Sequence, residues 1–236
     1  MRYRLITFCF LLASVVLLVV EHLNGPPEFD FSDPSVWAIE DADQLRMAAT
    51  RGVVASPAAE ASIASHLAPL DLQAGQVVAD IGCGSGYTLP WLSRLVGTEG
   101  KVYAVEYFSP AFRYLKERIS VLGLDNVLVV QDRADDVGLP PDSLDRSFLI
   151  NVMHAFARST GISDDGKRFV ASIFRATKPG GRVLVMDSEP GIPGSFGAIS
   201  VEQLRSVYEA AGFETASVLR GTGPYRVVFL RPGEER

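Results

Sequence analysis

Val77-Val78-Ala79-Asp80-Ile81-Gly82-Cys83-Gly84-Ser85-Gly86 is the stretch that decides how this chain folds. A short apolar run ends beside an acid, and three glycines then fall at alternate positions. The run from Gln76 to Ile81 reads as a buried strand ending at a glycine cluster. Glycines belong there for a steric reason. The backbone must turn sharply and let a ligand touch main-chain atoms, which a Cβ would block. Tyr87 to Val96 then reads as a helix with Leu89, Leu92 and Val96 on one face. Pro90 falls in its first turn, where proline is tolerated.

Outward from this unit the same alternation repeats. Lys101 to Glu106 is a second strand. Ser109-Pro110 opens a helix striped by Phe112, Leu115, Ile119 and Leu122, and Gly123 ends it. Asn126 to Gln131 and Leu144 to Asn151 are the third and fourth strands. Ser163 or Asp164 caps a helix carrying Phe169, Val170, Ile173 and Phe174, which Lys178-Pro179-Gly180-Gly181 stops. Arg182 to Asp187 is the fifth strand. Ser200 and Gln203 form a capping box, and the helix behind them buries Leu204, Val207, Tyr208 and Ala211 before Gly212. Phe213 to Leu219 and Tyr225 to Leu230 are the last strands, joined through Gly221 to Pro224.

Repeated β-α units demand a parallel sheet with helices on both faces. The short final connection makes the last two strands antiparallel. The expected fold is therefore α/β: three layers, doubly wound, a mostly parallel seven-stranded sheet with a final antiparallel hairpin. The ligand belongs at the carboxyl ends of the strands, at the topological switch point.

Upstream, Leu5 to Val20 is apolar apart from Thr7 and Ser14, with Arg2 and Arg4 before it and Glu21 and His22 after it. A run of 16 is at the short edge for a bilayer span, which needs about 17–25 residues; flanking side chains can make up the difference. Glu21-His22-Leu23-Asn24-Gly25 offers no small-x-small cleavage site, and Cys9 follows bulky Phe8 and makes a poor lipoprotein acceptor. The expectation is an uncleaved transmembrane helix within residues 1–23. A cleaved signal (hence export) and a buried helix are the alternatives. Residues 24–54 then form a linker, rich in proline and acids, and an N-terminal helix. Residues 55–236 form the main domain, with Ser56-Pro57 starting its first helix. By the positive-inside rule the two arginines would stay in the cytoplasm and the domain would lie outside, but the side of the membrane stays open.

Net charge is −6 and the pI about 5.1, which disfavours nucleic acid as a partner. Cys9 and Cys83 imply no disulfide framework. No Cys or His cluster has metal spacing, so no metal is expected.

The glycine loop reads G-x-G-x-G, not the G-x-x-spaced loop of dinucleotide folds. Asp80 precedes it, and Glu106 ends the second strand 20 residues beyond Gly86. In these features the chain resembles the class I S-adenosylmethionine-dependent methyltransferases, over about residues 55 to 231. Val77 to Gly86 is similar to that family's first motif, Val102 to Glu106 to its second strand, and Lys178 to Leu184 to the turn before its fifth. The closing antiparallel pair is similar too.

The resemblance implies the cofactor S-adenosyl-L-methionine and a set of roles. Gly82, Gly84 and Gly86 would hug its methionine part, and Asp80 would face the amino group. Glu106 would bind the ribose hydroxyls, with Tyr107 beside the adenine. An acid after the third strand would meet the adenine amine. Arg133 stands where that acid is commonest, so Asp135 is taken for the role and Asp132 second. Asn151 would line the sulfonium side.

For chemistry, His154 is the candidate general base, because imidazole titrates near working pH; a packed or cofactor-contacting histidine is its other reading. Asp187 and Glu189 are candidates to face an acceptor or a metal, or are loop carboxylates in solvent. The resemblance implies methyl transfer to a small-molecule or lipid-like acceptor, with quinone- and small-molecule-type enzymes the most similar members. A membrane partner through residues 5–20 would suit a lipid-soluble acceptor. Three alternatives stay open: a membrane-tethered, non-catalytic cofactor-binding or interaction module, an NAD-dependent oxidoreductase, and a transferase using a decarboxylated cofactor.

Overall fold

The structure, a computed structural model, describes residues 57–233 except 85, 109–110, 160, 192–198 and 222–223. The expected transmembrane helix within 1–23 and the segment 24–54 lie outside the described residues. Among those described, no helix is long and apolar enough to cross a membrane.

Helix α1 (Pro57–Leu67) is followed by a 3-10 turn (Ala68–Leu70). Then come β1 (Val77–Ile81), α2 (Leu89–Val96), β2 (Lys101–Glu106), α3 (Ala111–Leu122), β3 (Val127–Gln131) and β4 (Leu144–Ile150). A 3-10 turn (Met153–Phe156) leads into a small antiparallel ribbon of β5 (Ala157–Arg158) and β6 (Gly161–Ile162). Then follow α4 (Asp164–Ala176), β7 (Thr177–Asp187), α5 (Val201–Ala210), β8 (Glu214–Leu219) and β9 (Tyr225–Leu230).

The main sheet runs β3-β2-β1-β4-β7-β9-β8. The first five of these strands are mutually parallel, and β9 is antiparallel to both its neighbours. This is the seven-stranded, mostly parallel arrangement that the β-α alternation implies. The order reverses between β1 and β4, so the crevice at their carboxyl ends is the switch point.

Side chains alternate across the pleat and build two cores. Val78, Val102, Ala104, Phe148 and Leu184 point to one face, against Leu67, Leu89, Leu92, Val96 and Leu115 of α1, α2 and α3. Ala79, Ile81, Val105, Val183 and Val185 point to the other, against Phe169, Val170, Ile173, Leu204 and Tyr208 of α4 and α5. Tyr208 stacks on Phe229 at 4.2 Å.

Two boundaries and one element stand out against the sequence expectation. Helix α2 starts at Leu89, because Tyr87 and Thr88 stay in the glycine turn, where Gly86 O accepts from Leu89 N–H at 3.2 Å. Strand β7 begins five residues early, at Thr177: a register shift between Leu144 and Arg146 absorbs the Pro-Gly-Gly segment. The ribbon of β5 and β6 was not foreseen, since two-residue strands carry no periodicity. It packs on the first turn of α4, where a Cβ on Gly166 would lie 2.7 Å from Ile162 Cγ2 of β6.

Candidate active site

Parallel pairing sets Ile81 beside Val105, Glu106 beside Gln131, and Ile150 beside Met186. The residues at these five strand ends therefore gather on one edge of the sheet. The glycine loop crosses that edge. Gly82, Gly84 and Gly86 have φ of 77°, 54° and 72°, in the left-handed region that favours glycine. A Cβ on Gly82 would lie 2.4 Å from Val152 Cγ2, so the loop presses on the residue that follows Asn151. A Cβ on Gly84 would meet nothing within 4 Å: its outer side is open.

Glu106 holds this loop to β2. Its Oε2 accepts from Gly84 N–H at 2.7 Å and its Oε1 from Phe108 N–H at 2.9 Å. Both bonds are charge-assisted. The N–H groups of Gly82 and Cys83 both donate to Val105 O, at 2.9 and 3.0 Å. Cys83 is buried in the loop; burial pushes its thiol pKa up, with the charges of Asp80 and Glu106 adding to the effect. It is no nucleophile.

Asp80 is buried and accepts a short hydrogen bond from the Thr88 hydroxyl. Burial pushes its pKa up to about 7; the Thr88 bond opposes this and the Glu106 charge adds to it. Asp132 stands at the end of β3, its N–H donating to Glu106 O at 3.3 Å. It too is buried, and its Oδ1 has no protein partner among the described residues. Burial, then the charge of Glu106, pushes its pKa up to about 7 against a backbone hydrogen bond. Asp80, Glu106 and Asp132 thus crowd one site with little to neutralise them. Such a cluster suits a ligand rich in N–H donors and positive charge.

The other expected residues fall as follows. Asp135 faces away, in an ion pair with Arg168 of α4 at 3.2 Å, both half-exposed. Tyr107 lies beside Glu106 and is 63% exposed. Asn151 ends β4 with φ of 55°, rare for a residue with a Cβ, and donates its N–H to Met186 O at 2.9 Å.

His154 sits in the 3-10 turn after β4 against Asp187, which is 1% exposed. Its N–H donates to Asp187 Oδ2 at 3.1 Å, and its Nδ1 lies 3.2 Å from Oδ1. A hydrogen bond between the two requires a ring proton on Nδ1, because the carboxylate can only accept. Ser188 N–H also donates to Asp187, at 3.0 Å. Glu189 pairs with Arg220 at 3.3 Å. Among the described residues, no group of three or more metal-ligating side chains comes together.

Sequence reading missed Thr88 and the pairing of His154 with Asp187, which joins residues 33 apart. It ranked Asp132 second, although β3 ends at Gln131 and the next residue is the strand-end position.

A family profile described as a methyltransferase domain matches residues 79–185, from inside β1 to inside β7. A solved S-adenosylmethionine-dependent methyltransferase from Aquifex aeolicus superposes with a TM-score of 0.61. It has 26% identity and covers 70% of this chain and 87% of its own. Over residues 79–185 the chain carries a methyltransferase domain, similar in fold to the class I S-adenosylmethionine-dependent methyltransferases. Two curated relatives are named ubiquinone/menaquinone biosynthesis C-methyltransferase UbiE. The Marinomonas protein is 30% identical over 60% of this chain and 51% of its own length; the Cronobacter sakazakii protein is 29% identical over 64% and 57%. This methyltransferase chain thus spans about half the length of those relatives. A solved [4+2]-cyclase, SpnF, has a TM-score of 0.59 at 16% identity and shares the fold alone.

The family's cofactor is S-adenosylmethionine, and the site fits it. The open side of Gly84 leaves room for close backbone approach, and the orphaned Asp132 Oδ1 needs a donor.

Proposed function

We propose that this methyltransferase methylates a small, lipid-soluble, quinone-type ring acceptor. The observation that carries the cofactor half is the convergence of Asp80, Glu106 and Asp132 on one glycine loop, with Asp132 Oδ1 unpartnered. When bound, the cofactor supplies an electrophilic methyl on a sulfonium. Glu106 holds the ribose hydroxyls, and Asp80 faces the ammonium. Asp132, not Asp135, meets the adenine amine, because Asp135 is engaged by Arg168 outside the site. Tyr107 flanks the adenine and Asn151 the sulfonium side. His154, nominated from the sequence as the base, is anchored in the turn after β4 by Asp187, through both its N–H and its ring.

Two observations support the acceptor class. The similar curated relatives are named for quinone biosynthesis and carbon methylation. The apolar run from Leu5 to Val20 would hold the domain at a membrane, where such acceptors reside. The test is full-length protein in detergent with tritiated methyl donor and a bacterial lipid extract. Label entering the organic phase supports the reading; a folded, donor-binding protein that yields no labelled lipid counts against the acceptor class. Carbonate extraction of membranes tests the tether, which should resist it.

A second reading is a tethered module without turnover. Arg2 and Arg4 favour it, because the positive-inside rule would put the domain across the membrane from the cytosolic methyl donor. Protease protection in spheroplasts separates the two.

A further inference from the structure

A cavity of about 330 Å³ opens beside the glycine loop and shares Asn151, on the sulfonium side, with the cofactor site. One wall is α1, through Ser62, Ile63 and His66; the floor is Ile150 and Met186 at the ends of β4 and β7. Tyr87 and Asn151 form the rim. These rim residues fix its place. Tyr87 directly follows Gly86, and Asn151 directly precedes Val152, the side chain pressed on Gly82. The cavity therefore adjoins the glycine loop on the β1–β4 side, away from Glu106 and Asp132 on the β2–β3 side. It is mostly apolar. Among the described residues that line it, His66 alone carries an imidazole. The ring is half-buried, with Nδ1 3.5 Å from Ser62 Oγ one helical turn earlier. His154 is not among the side chains lining this cavity.

We infer that this cavity receives the methyl acceptor and that His66 is the catalytic base. The occupant is a flat aromatic ring, in hydroquinone form, with one ionisable hydroxyl turned to His66. Ile63, Ile150 and Met186 take the ring faces, as apolar walls suit an apolar ring. The acceptor O–H bond breaks, its proton goes to the imidazole, and the electron pair left on oxygen raises the nucleophilicity of the adjacent ring carbon. That carbon forms the new bond to methyl while the methyl–sulfur bond breaks, its pair staying on sulfur. The ring carbon then loses its own proton to water and aromaticity returns; His66 releases its proton to solvent. The step needs no oxidant. It rests on the methyl-transfer reading above.

The chain has three histidines, His22, His66 and His154, so a carbon–proton correlation spectrum of ring-labelled full-length protein resolves each one. His66→Gln assigns the signal. The probe is 1,4-naphthohydroquinone kept reduced with dithionite, added to protein saturated with S-adenosylmethionine. The His66 resonance should move on titration while that of His154 stays. In a tritium-transfer assay with the same probe, His66→Gln should lower kcat/KM at least 100-fold. It should also abolish the fall in rate on acidification, and leave cofactor affinity within twofold. His154→Gln should stay within tenfold. A motionless His66 signal, or a His66→Gln protein that binds cofactor and turns over within threefold of the parent, overturns the inference. Failure of the parent to bind S-adenosylmethionine overturns instead the reading on which it rests.

Discussion

Asp132 is a site where binding and stability should pull apart, and Asp132→Asn measures both. Its carboxyl is buried with Oδ1 unpartnered, and its pKa is raised from 3.8 to about 7. A raised carboxyl favours the folded state while it keeps its proton. That contribution is full below about pH 4 and is lost as pH rises through about 7. The shift corresponds to at most about 4 kcal/mol, at about 1.36 kcal/mol per pH unit. Relaxation around a buried charge offsets much of this, which leaves about 1–2 kcal/mol. The amide never ionises, so without cofactor the substituted protein should be more stable at pH 8. Its Tm should rise by roughly 2–6 °C for a domain of this size. The gain should shrink to about half at pH 5.5, where the parent still holds its proton. Cofactor affinity should move the other way, weakening about tenfold with loss of a charge-assisted acceptor. Differential scanning fluorimetry at the two pH values and calorimetric titration give both numbers. A lower Tm at pH 8, or an equal gain at both pH values, would refute the reasoning that this acid is held without a partner.

Other changes follow from the same structure. Gly82→Ala combines a φ of 77° with a Cβ 2.4 Å from Val152 Cγ2. It should cost about 2–4 kcal/mol in urea unfolding, and adding Val152→Ala should relieve the clash but leave about 1–2 kcal/mol for the backbone. Tyr208 is fully buried with a hydroxyl that has no protein partner among the described residues. Tyr208→Phe should raise the urea midpoint, by about 1 kcal/mol of stability.

The sheet was legible because its strands carry continuous apolar runs bounded by turn residues. Asp80-Ile81-Gly82 and Glu106 announce two strand ends, and Ser200 with Gln203 announces α5 through a capping box that the structure forms. Legibility stopped where function depends on side-chain direction. Asp132 and Asp135 are three residues apart, yet one turns into the sheet edge and the other out to Arg168, and no periodicity marks a bend. The anchoring of His154 was not legible because its partner Asp187 comes from another strand. His66 went unnoticed because α1 shows no functional motif; only its packing over β4 and β7 brings it to a cavity. The G-x-G-x-G loop was readable for the opposite reason: its demand is on the backbone, and backbone demands are written in glycine.

Calorimetric titration of the full-length chain with S-adenosylmethionine, beside Glu106→Ala and with circular dichroism to check folding, goes to the heart of the matter. Micromolar binding, weakened tenfold or more by the substitution (about 1.4 kcal/mol), is the expected result. A folded parent protein that gives no binding heat would contradict the assignment of this loop and its three acids to the methyl donor.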